Sequence, residues 1–244
     1  MRSVIVLALT LPLVGSVVCG QEQARQPHVI VHRQALEAAP ENTWAALKQA
    51  VFWGADQTVT LEIDLFATKD GKLFLFHDTW FDWKNDEALG HPEDWLWEEI
   101  NDVDFGSWYD RRFKDERLPL FDDVLEFCKL NHVRLTLDPR ESATREKIQA
   151  VLKKHDAEGT VYWGWRDGFG RLVGEQRKIM DFDGDRERIR QGIKEWMRDT
   201  IWVDDPRVLL DVLHREAPRR EVKMPALSLG YRVEDLDFDT LVEQ

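Results

Sequence analysis

The sequence predicts an α/β barrel in which parallel strands alternate with helices, and whose C-terminal half is abbreviated or irregular. Short apolar segments alternate with helical periodicity from Val29 onward, as parallel strands joined by crossover helices do. The polar residues that interrupt these segments lie at their C-terminal ends. An open doubly wound sheet shares the alternation. The polar strand ends favour the closed barrel, because barrel active sites are built on that face.

The individual elements follow from local patterns. Asn42 or Thr43 can cap the first helix, and the turn at 69–71 contains Gly71. The predicted strands cover 29–31, 58–66, 72–76, 133–137 and 160–165, and the predicted helices cover 42–52, 93–100, 121–130 and 141–155.

The first 20 residues have the composition of a secretory signal peptide. Arg2 is their only charge, and an apolar run from 4 to 14 precedes small residues. This run is too short for a transmembrane segment. Residues 21–27 then form a polar linker, and 28–244 form one barrel domain. We therefore expect a secreted or periplasmic protein without a transmembrane segment.

The two cysteines bear on the same question. Cys19 lies at the predicted cleavage point, which leaves Cys128 alone, so no intramolecular disulfide is expected. Cys19 has an alternative interpretation as the lipid-modified residue of a bacterial lipoprotein. The bulky Val17 and Val18 before it disfavour that anchor. The sequence makes no prediction of the oligomeric state.

The formal net charge of −13 argues against nucleic acid as a partner, because binding a polyanion needs clustered Lys and Arg. A small anionic substrate remains compatible with this charge, since it needs only local positive charge. A bound metal cation would supply that charge.

Glu62 and Asp64 are the first candidate metal ligands. They are two positions apart on a predicted strand, so both carboxylates lie on one side of it. Burying two adjacent carboxylates without a cation is costly, and hard oxygen ligands favour Ca²⁺ or Mg²⁺. The alternative is an ordinary exposed strand face.

His32 and His77 each follow an apolar strand, and Asp138 with Arg140 follows the fourth one. Two histidines beside a carboxylate pair suggest an acid and a base that flank a reacting group. Cleavage of a phosphodiester needs this combination together with cations for the non-bridging oxygens. The alternative is that each His is a hydrogen-bonded structural residue.

An ordered set of motifs resembles the glycerophosphodiester phosphodiesterases. Glu41 is nine positions after His32, and His77 is fifteen after Glu62, as in that family. The motifs are His32-Arg33, Pro40-Glu41-Asn42-Thr43, Gly54-Ala55-Asp56, Glu62-x-Asp64, Thr68-Lys69-Asp70-Gly71, His77-Asp78 and Leu118-Pro119.

The resemblance implies a TIM-type barrel and metal-dependent hydrolysis of glycerophosphodiesters to glycerol phosphate and an alcohol. It implies that His32 and His77 are the acid/base pair. Arg33 and Arg140 would bind the phosphate, and Glu41 would support the site. The implied metal ligands are Glu62, Asp64 and Asp138, around one Ca²⁺ or Mg²⁺.

The chain also departs from the family pattern. Gln34 replaces the Gly that usually follows His-Arg, and Pro139 is unexpected between Asp138 and Arg140. Residues 201–206 resemble the last barrel strand, yet too few residues precede them for two ordinary strand–helix units. Either the barrel is abbreviated, or 178–182 and 224–229 supply unorthodox strands.

Two alternatives to this function remain open. One is a related phospholipid-cleaving lyase, which would release a cyclic phosphate. The other is a non-catalytic extracellular barrel that binds phosphodiesters or glycans.

Three further features have competing interpretations. Trp residues in the connection after His77 form either an aromatic wall for an alcohol headgroup or loop packing. Glu41 alternatively complements a helix dipole. Asp204-Asp205 is expected to cap the following helix through Asp205, the residue before Pro206. The Trp residues concerned are Trp80, Trp83, Trp95, Trp97 and Trp108.

Overall fold

The computed structural model describes residues 28–161, 176–179, 191, 200–212 and 221–228. The predicted signal peptide, the linker and Cys19 lie outside these ranges. Of the predicted strand at 160–165, the description reaches Val161, which forms an isolated parallel bridge with Leu135.

The described elements match most of the predicted ones to within a few residues. Thr43 is the N-cap of the first helix and accepts a hydrogen bond from the backbone N–H of Ala46. The elements are β1 (His28–Val31), α1 (Trp44–Phe52), β2 (Val59–Ala67), β3 (Leu73–Leu75), α2 (Trp97–Ile100), α3 (Phe121–Asn131), β4 (Arg134–Pro139), α4 (Arg145–Lys154), β5 (Gln176–Ile179), β6 (Thr200–Val203) and α5 (Leu209–Val212).

Five parallel strands form one continuous arc in the order β4-β2-β1-β6-β5. The first strand lies between the second and the last described one, and the Val161 bridge extends the arc beyond β4. A barrel has this arrangement, because its closure places the end of the chain beside its beginning. The described strands therefore agree with the predicted barrel.

The expectation that the third predicted strand is a parallel strand of the barrel is wrong. Strand β3 is antiparallel to β2, with Leu65 opposite Leu75. The turn before it, in which Gly71 has φ +80°, is too short for the crossover that a parallel strand needs. The hairpin sends the chain back along β2, where the N–H of Phe76 donates to the carbonyl of Asp64. His77 thus returns to the carboxylates by a route that the sequence did not predict.

The C-terminal part combines one of the two expected strands with irregular chain. Strand β5 lies slightly before the expected 178–182 and pairs with β6 in parallel. Residues 221–228 contain no strand. Their side chains Val222, Met224 and Leu227 pack on the main core instead, so this segment covers the barrel.

The core explains why the candidate carboxylates are buried. All nine residues of β2 are buried, because helices cover one face of the arc and the barrel interior lies on the other. A second cluster of Phe and Trp side chains fills the connection after His77, with Phe76 and Phe81 among them. No helix in the described part of the chain is long and apolar enough to cross a membrane.

Candidate active site

Three carboxylates meet at the C-terminal end of β2 and β4. The register places Asp138 opposite Asp64 and Thr136 opposite Glu62. Glu62 is 3% exposed and Asp64 1%. One oxygen from each of Glu62, Asp64 and Asp138 lies within 4.8 Å of the other two. The strands thus bring together the three metal ligands that the sequence predicted.

The electrostatics of this group favour a bound cation. Burial, together with the charge of Asp64, raises the pKa of Glu62 well above its ordinary value. Burial also raises the pKa of Asp64, although His77, Arg140 and Arg33 oppose this. The carboxylates are costly to ionise here without further positive charge. Because all three donors are hard oxygens, the set fits Ca²⁺ or Mg²⁺.

Two arginines border the carboxylates. Arg140 Nη2 donates to Asp64 Oδ1 at 2.5 Å, and its Nη1 lies 3.3 Å from Asp138 Oδ2. Arg33 Nε lies 3.9 Å from Asp64 Oδ2. Burial alone would lower the pKa of Arg33, but Glu41, Asp64 and Glu62 outweigh it and raise it. Both guanidinium groups are about one-fifth exposed, so an anion can reach them.

Pro139 does not disturb this arrangement. Strand β4 continues through it, opposite Leu65, and the N–H of Arg140 donates to the carbonyl of Leu65 at 2.8 Å. Asp138 and Arg140 therefore keep the alternation that places both at the site.

The loop after β1 is built around Gln34, where the family usually has Gly. Arg33 and Gln34 have φ values of 48° and 66°, a region that costs energy for residues other than Gly. Two contacts hold this turn: the N–H of Arg33 donates to Glu62 Oε2 at 2.9 Å, and Gln34 Nε2 donates to the carbonyl of Glu62 at 2.5 Å. Gln34 therefore fits under the site instead of crowding it.

Asn42 completes the support of the carboxylates. Its Nδ2 donates to Asp64 Oδ2 at 2.9 Å, and its Oδ1 accepts the N–H of Asp64 at 3.2 Å. Asn42 has φ 56° and is fully buried. The Asn of the Pro-Glu-Asn-Thr motif therefore orients a candidate metal ligand.

Each candidate acid/base histidine has a carboxylate at Nδ1. His32 Nδ1 is 2.7 Å from Asp204 Oδ1, and His77 Nδ1 is 2.6 Å from Asp78 Oδ1. Arg33 Nη2 donates to His77 Nε2 at 2.5 Å. Since arginine is only a donor, neutral His77 carries its hydrogen on Nδ1 and donates it to Asp78. Each pairing fixes the ring and leaves Nε2 as the nitrogen directed away from the supporting carboxylate.

The predicted cap before Pro206 is confirmed, whereas the contact of Asp204 with His32 was not predicted. Asp205 is the cap, since its carboxylate accepts the N–H of Arg207 at 2.8 Å. Asp204 is 3% exposed and reaches across to His32. The signal was available, because Asp204 directly follows the last strand and so obeys the strand-end rule.

Lys84 was missed entirely. It is 3% exposed, and its Nζ contacts Glu41 Oε1 and lies 2.9 Å from Asp78 Oδ2. Glu41 also accepts from Arg33 Nη1 at 2.6 Å. Burial would raise the pKa of Glu41, but Lys84 and Arg33 lower it. The α1 helix starts at Trp44 with no acid in its first turn, so Glu41 serves these two cations and not a helix dipole.

A cavity of about 400 Å³ opens beside His77 and Arg140. Trp80 and Trp83 line it and are 50% and 58% exposed, whereas Trp97 is 3% exposed in the second cluster. The tryptophans therefore divide between the two interpretations. The residues that line the cavity are His77, Asp78, Thr79, Trp80, Trp83 and Arg140.

Comparison with known families agrees with this geometry. The model of the Glycerophosphoryl diester phosphodiesterase family matches residues 32–180, which is more than half of the chain. The match begins at His32 and includes the whole of the carboxylate group.

Curated relatives match the same region. A glycerophosphodiester phosphodiesterase of Caldanaerobacter subterraneus is 39% identical over 138 residues, covering 54% of this chain and 55% of the relative. A glycerophosphodiester phosphodiesterase of Bacillus subtilis is 30% identical over 139 residues, covering 52% and 45%. The chain thus spans about half the length of these relatives.

Solved structures share the fold. A glycerophosphodiester phosphodiesterase from Agrobacterium tumefaciens superposes with a TM-score of 0.63 at 21% identity, covering 75% of this chain and 98% of that one. An Oleispira antarctica phosphodiesterase, in complex with the product sn-glycerol-3-phosphate, gives 0.55 at 20% identity, covering 78% and 97%. These similarities confirm the predicted barrel.

Proposed function

Because the chain belongs to the glycerophosphoryl diester phosphodiesterase family, we propose that it hydrolyses glycerophosphodiesters to glycerol phosphate and an alcohol. The observation that carries this proposal is the group of buried carboxylates on β2 and β4, which two arginines border. Two histidines, each hydrogen-bonded to an aspartate, complete the site. A site of this charge and shape suits a phosphodiester, because negative groups hold a cation while guanidinium groups receive the phosphate oxygens.

Glu62, Asp64 and Asp138 would hold one divalent cation, Ca²⁺ or Mg²⁺. Their burial and mutual proximity support this assignment. When bound, the cation supplies positive charge to the non-bridging phosphate oxygens. Arg33 and Arg140, which approach different oxygens of Asp64, would add charge to the same phosphate oxygens.

His32 and His77 would divide the proton transfers. One takes a proton from the attacking water, and the other gives a proton to the departing alkoxide. Asp204 and Asp78 stabilise the imidazolium form of their partners and fix the ring orientation. The cavity at Trp80 and Trp83 opens on the His77 side, so we assign protonation of the leaving alkoxide to His77. For this step His77 must carry a proton on Nε2, and Arg33, which donates to that nitrogen before substrate binds, must turn to the phosphate.

The test is a metal-replete assay on a panel of glycerophosphodiesters, with glycerol phosphate as the measured product. We expect turnover that EDTA abolishes and that Ca²⁺ or Mg²⁺ restores. His32→Ala and His77→Ala should each lower kcat by a factor of ~10² or more. Near-wild-type kcat in either variant would remove that histidine from the mechanism.

The same assay separates the two alternatives. A cyclic phosphate product would identify a lyase, in which a substrate hydroxyl replaces water as the nucleophile. Calorimetric binding of a glycerophosphodiester without turnover would identify a binding protein. Release of glycerol phosphate with an intact, separately detected alcohol supports the hydrolase.

We also propose that the enzyme acts outside the cytoplasm after residues 1–20 are removed. The sequence pattern of that segment supports this. N-terminal sequencing of protein recovered from the exported fraction would show a start near residue 21, and an intact Met1 there would contradict it.

A further inference from the structure

We propose that Lys84 is a positioning residue of the active site, which holds His77 and Arg33 in their working orientations from a single buried point. The inference rests on the proposed function, since it assigns these two side chains their roles in hydrolysis. Lys84 belongs to the Trp-rich connection after β3, so it gives that connection a role in the chemistry.

The contacts form a closed ring of side chains. Lys84 donates to Glu41 and approaches Asp78 Oδ2 at 2.9 Å. The second oxygen of each carboxylate is used in the site: Glu41 Oε2 receives Arg33 and Asp78 Oδ1 receives His77. A hydrogen bond from Arg33 Nη2 to His77 Nε2 closes the ring. The members, in order, are Lys84, Glu41, Arg33, His77 and Asp78.

The charges of this ring balance only while Lys84 is present. The ammonium and the Arg33 guanidinium offset the two carboxylates. Loss of the ammonium leaves an uncompensated buried carboxylate, the expensive case for a buried pair. Arg33 would then be drawn toward Glu41 and Asp78, away from the phosphate position beside Asp64.

The ammonium also contacts two members of a second group that could hold a cation. Glu41, His77 and Asp78 form another group whose oxygen and nitrogen atoms lie within 4.8 Å of one another. Lys84 Nζ already contacts the carboxylates of Glu41 and Asp78. The Lys84 ammonium therefore supplies the positive charge that a bound metal ion would otherwise supply to these carboxylates.

Aromatic rings fix the ammonium itself. Lys84 Nζ lies 4.9 Å from the ring centre of Phe76, 4.8 Å from that of Trp83 and 5.2 Å from that of Trp108. Such contacts attract a cation and exclude water around it. Because Trp83 also lines the substrate cavity, the cage connects the cavity wall to the ring.

The experiment compares Lys84→Met, which keeps the length of the stem, with Lys84→Arg, which keeps the charge. We expect Lys84→Met to lower kcat by roughly 10- to 100-fold, as for loss of a charge-assisted hydrogen bond, with KM for glycerophosphocholine changed much less. Lys84→Arg should keep most of kcat. Lys72→Met, at an exposed lysine on the β3 hairpin, is the matched control and should be unchanged.

A readout without turnover keeps the inference separate from the proposed function. In ¹⁵N-histidine NMR spectra, we expect the His77 ring of the wild type to show the tautomer protonated at Nδ1, and that of Lys84→Met to lose this signature. An unchanged His77 spectrum in Lys84→Met overturns the inference, whether or not the wild type is active. A wild type without turnover but with the expected spectral change refutes the hydrolase and leaves the positioning role standing. Equal loss of kcat in Lys84→Met and Lys84→Arg would also overturn the inference, because charge would then be irrelevant.

Discussion

Replacing Glu62 by Gln should change stability in opposite directions, depending on whether a divalent cation is present. The variant keeps the shape of the side chain and an oxygen that can accept the N–H of Arg33, a contact of 2.9 Å in the wild type. It removes one negative charge from the three carboxylates on β2 and β4.

The size of both effects follows from the geometry. Two unit charges within 4.8 Å of each other repel by roughly 3 kcal/mol or more at an effective dielectric constant of about 20. Because Arg33 and Arg140 offset part of this, we expect metal-free Glu62→Gln to be more stable by about 1–2 kcal/mol at a pH above the raised pKa of Glu62. A cation at 100 times its Kd stabilises the wild type by about 2.7 kcal/mol, which corresponds to roughly 5–10 °C in Tm for a domain of this size. The variant should lose most of that gain.

Differential scanning calorimetry in EDTA, and then in excess Ca²⁺ or Mg²⁺, measures both effects. Glu93→Gln is the matched control, since Glu93 is exposed in the connection after β3 and should behave as wild type in both conditions. The reasoning fails if neither ion raises the Tm of the wild type, or if Glu62→Gln keeps the full increase.

Three further predictions concern residues around the site. Asp204→Asn should lower kcat by roughly 10- to 100-fold through loss of the charged partner of His32, whereas Asp205→Asn, which keeps the cap, should not; steady-state assays decide. Burial raises the pKa of Glu116 to about 7, so the stability that its protonated form contributes is complete below the unfolded value of 4.5 and lost as pH rises through 7. Glu116→Gln should therefore reduce the fall in unfolding free energy between pH 4.5 and pH 8 by up to about 3 kcal/mol, and urea titrations giving equal falls would contradict this. Gly106→Ala would place a Cβ 1.9 Å from the carbonyl oxygen of Phe113 and should cost about 3 kcal/mol in urea unfolding, while Gly159→Ala, with nothing within 4 Å, should cost far less.

Local patterns predicted most elements of the fold, because burial and periodicity are properties of short segments. The direction of β3 was not obtained, since three apolar residues look the same in a parallel and an antiparallel strand. The short connection after β2 contained the missing information. A turn closed by Gly71 can form a hairpin, whereas a parallel partner needs a crossover of a dozen or more residues.

The candidate site likewise contains residues that the sequence predicted and contacts that it did not. The convergence of Glu62, Asp64 and Asp138 could be predicted because Glu62 and Asp64 share one face of β2 and Asp138 ends the parallel strand beside it. The partnership of His32 with Asp204 joins residues 172 positions apart, and only the pairing of β1 with β6 makes them neighbours. Lys84 had no periodic or strand-end signal, because a loop positions it.

The placement of β1 between β2 and β6 means that the pairing of β1 depends on a strand synthesised much later. A growing chain that has reached β5 already contains both histidines and all three carboxylates, but β1 still lacks one of its two neighbours. Asp204 arrives with the strand that fills this gap. The carboxylate partner of His32 is thus supplied by the same strand that completes the pairing of β1, the last strand in the described part of the chain. We expect a chain truncated before residue 200 to lack both.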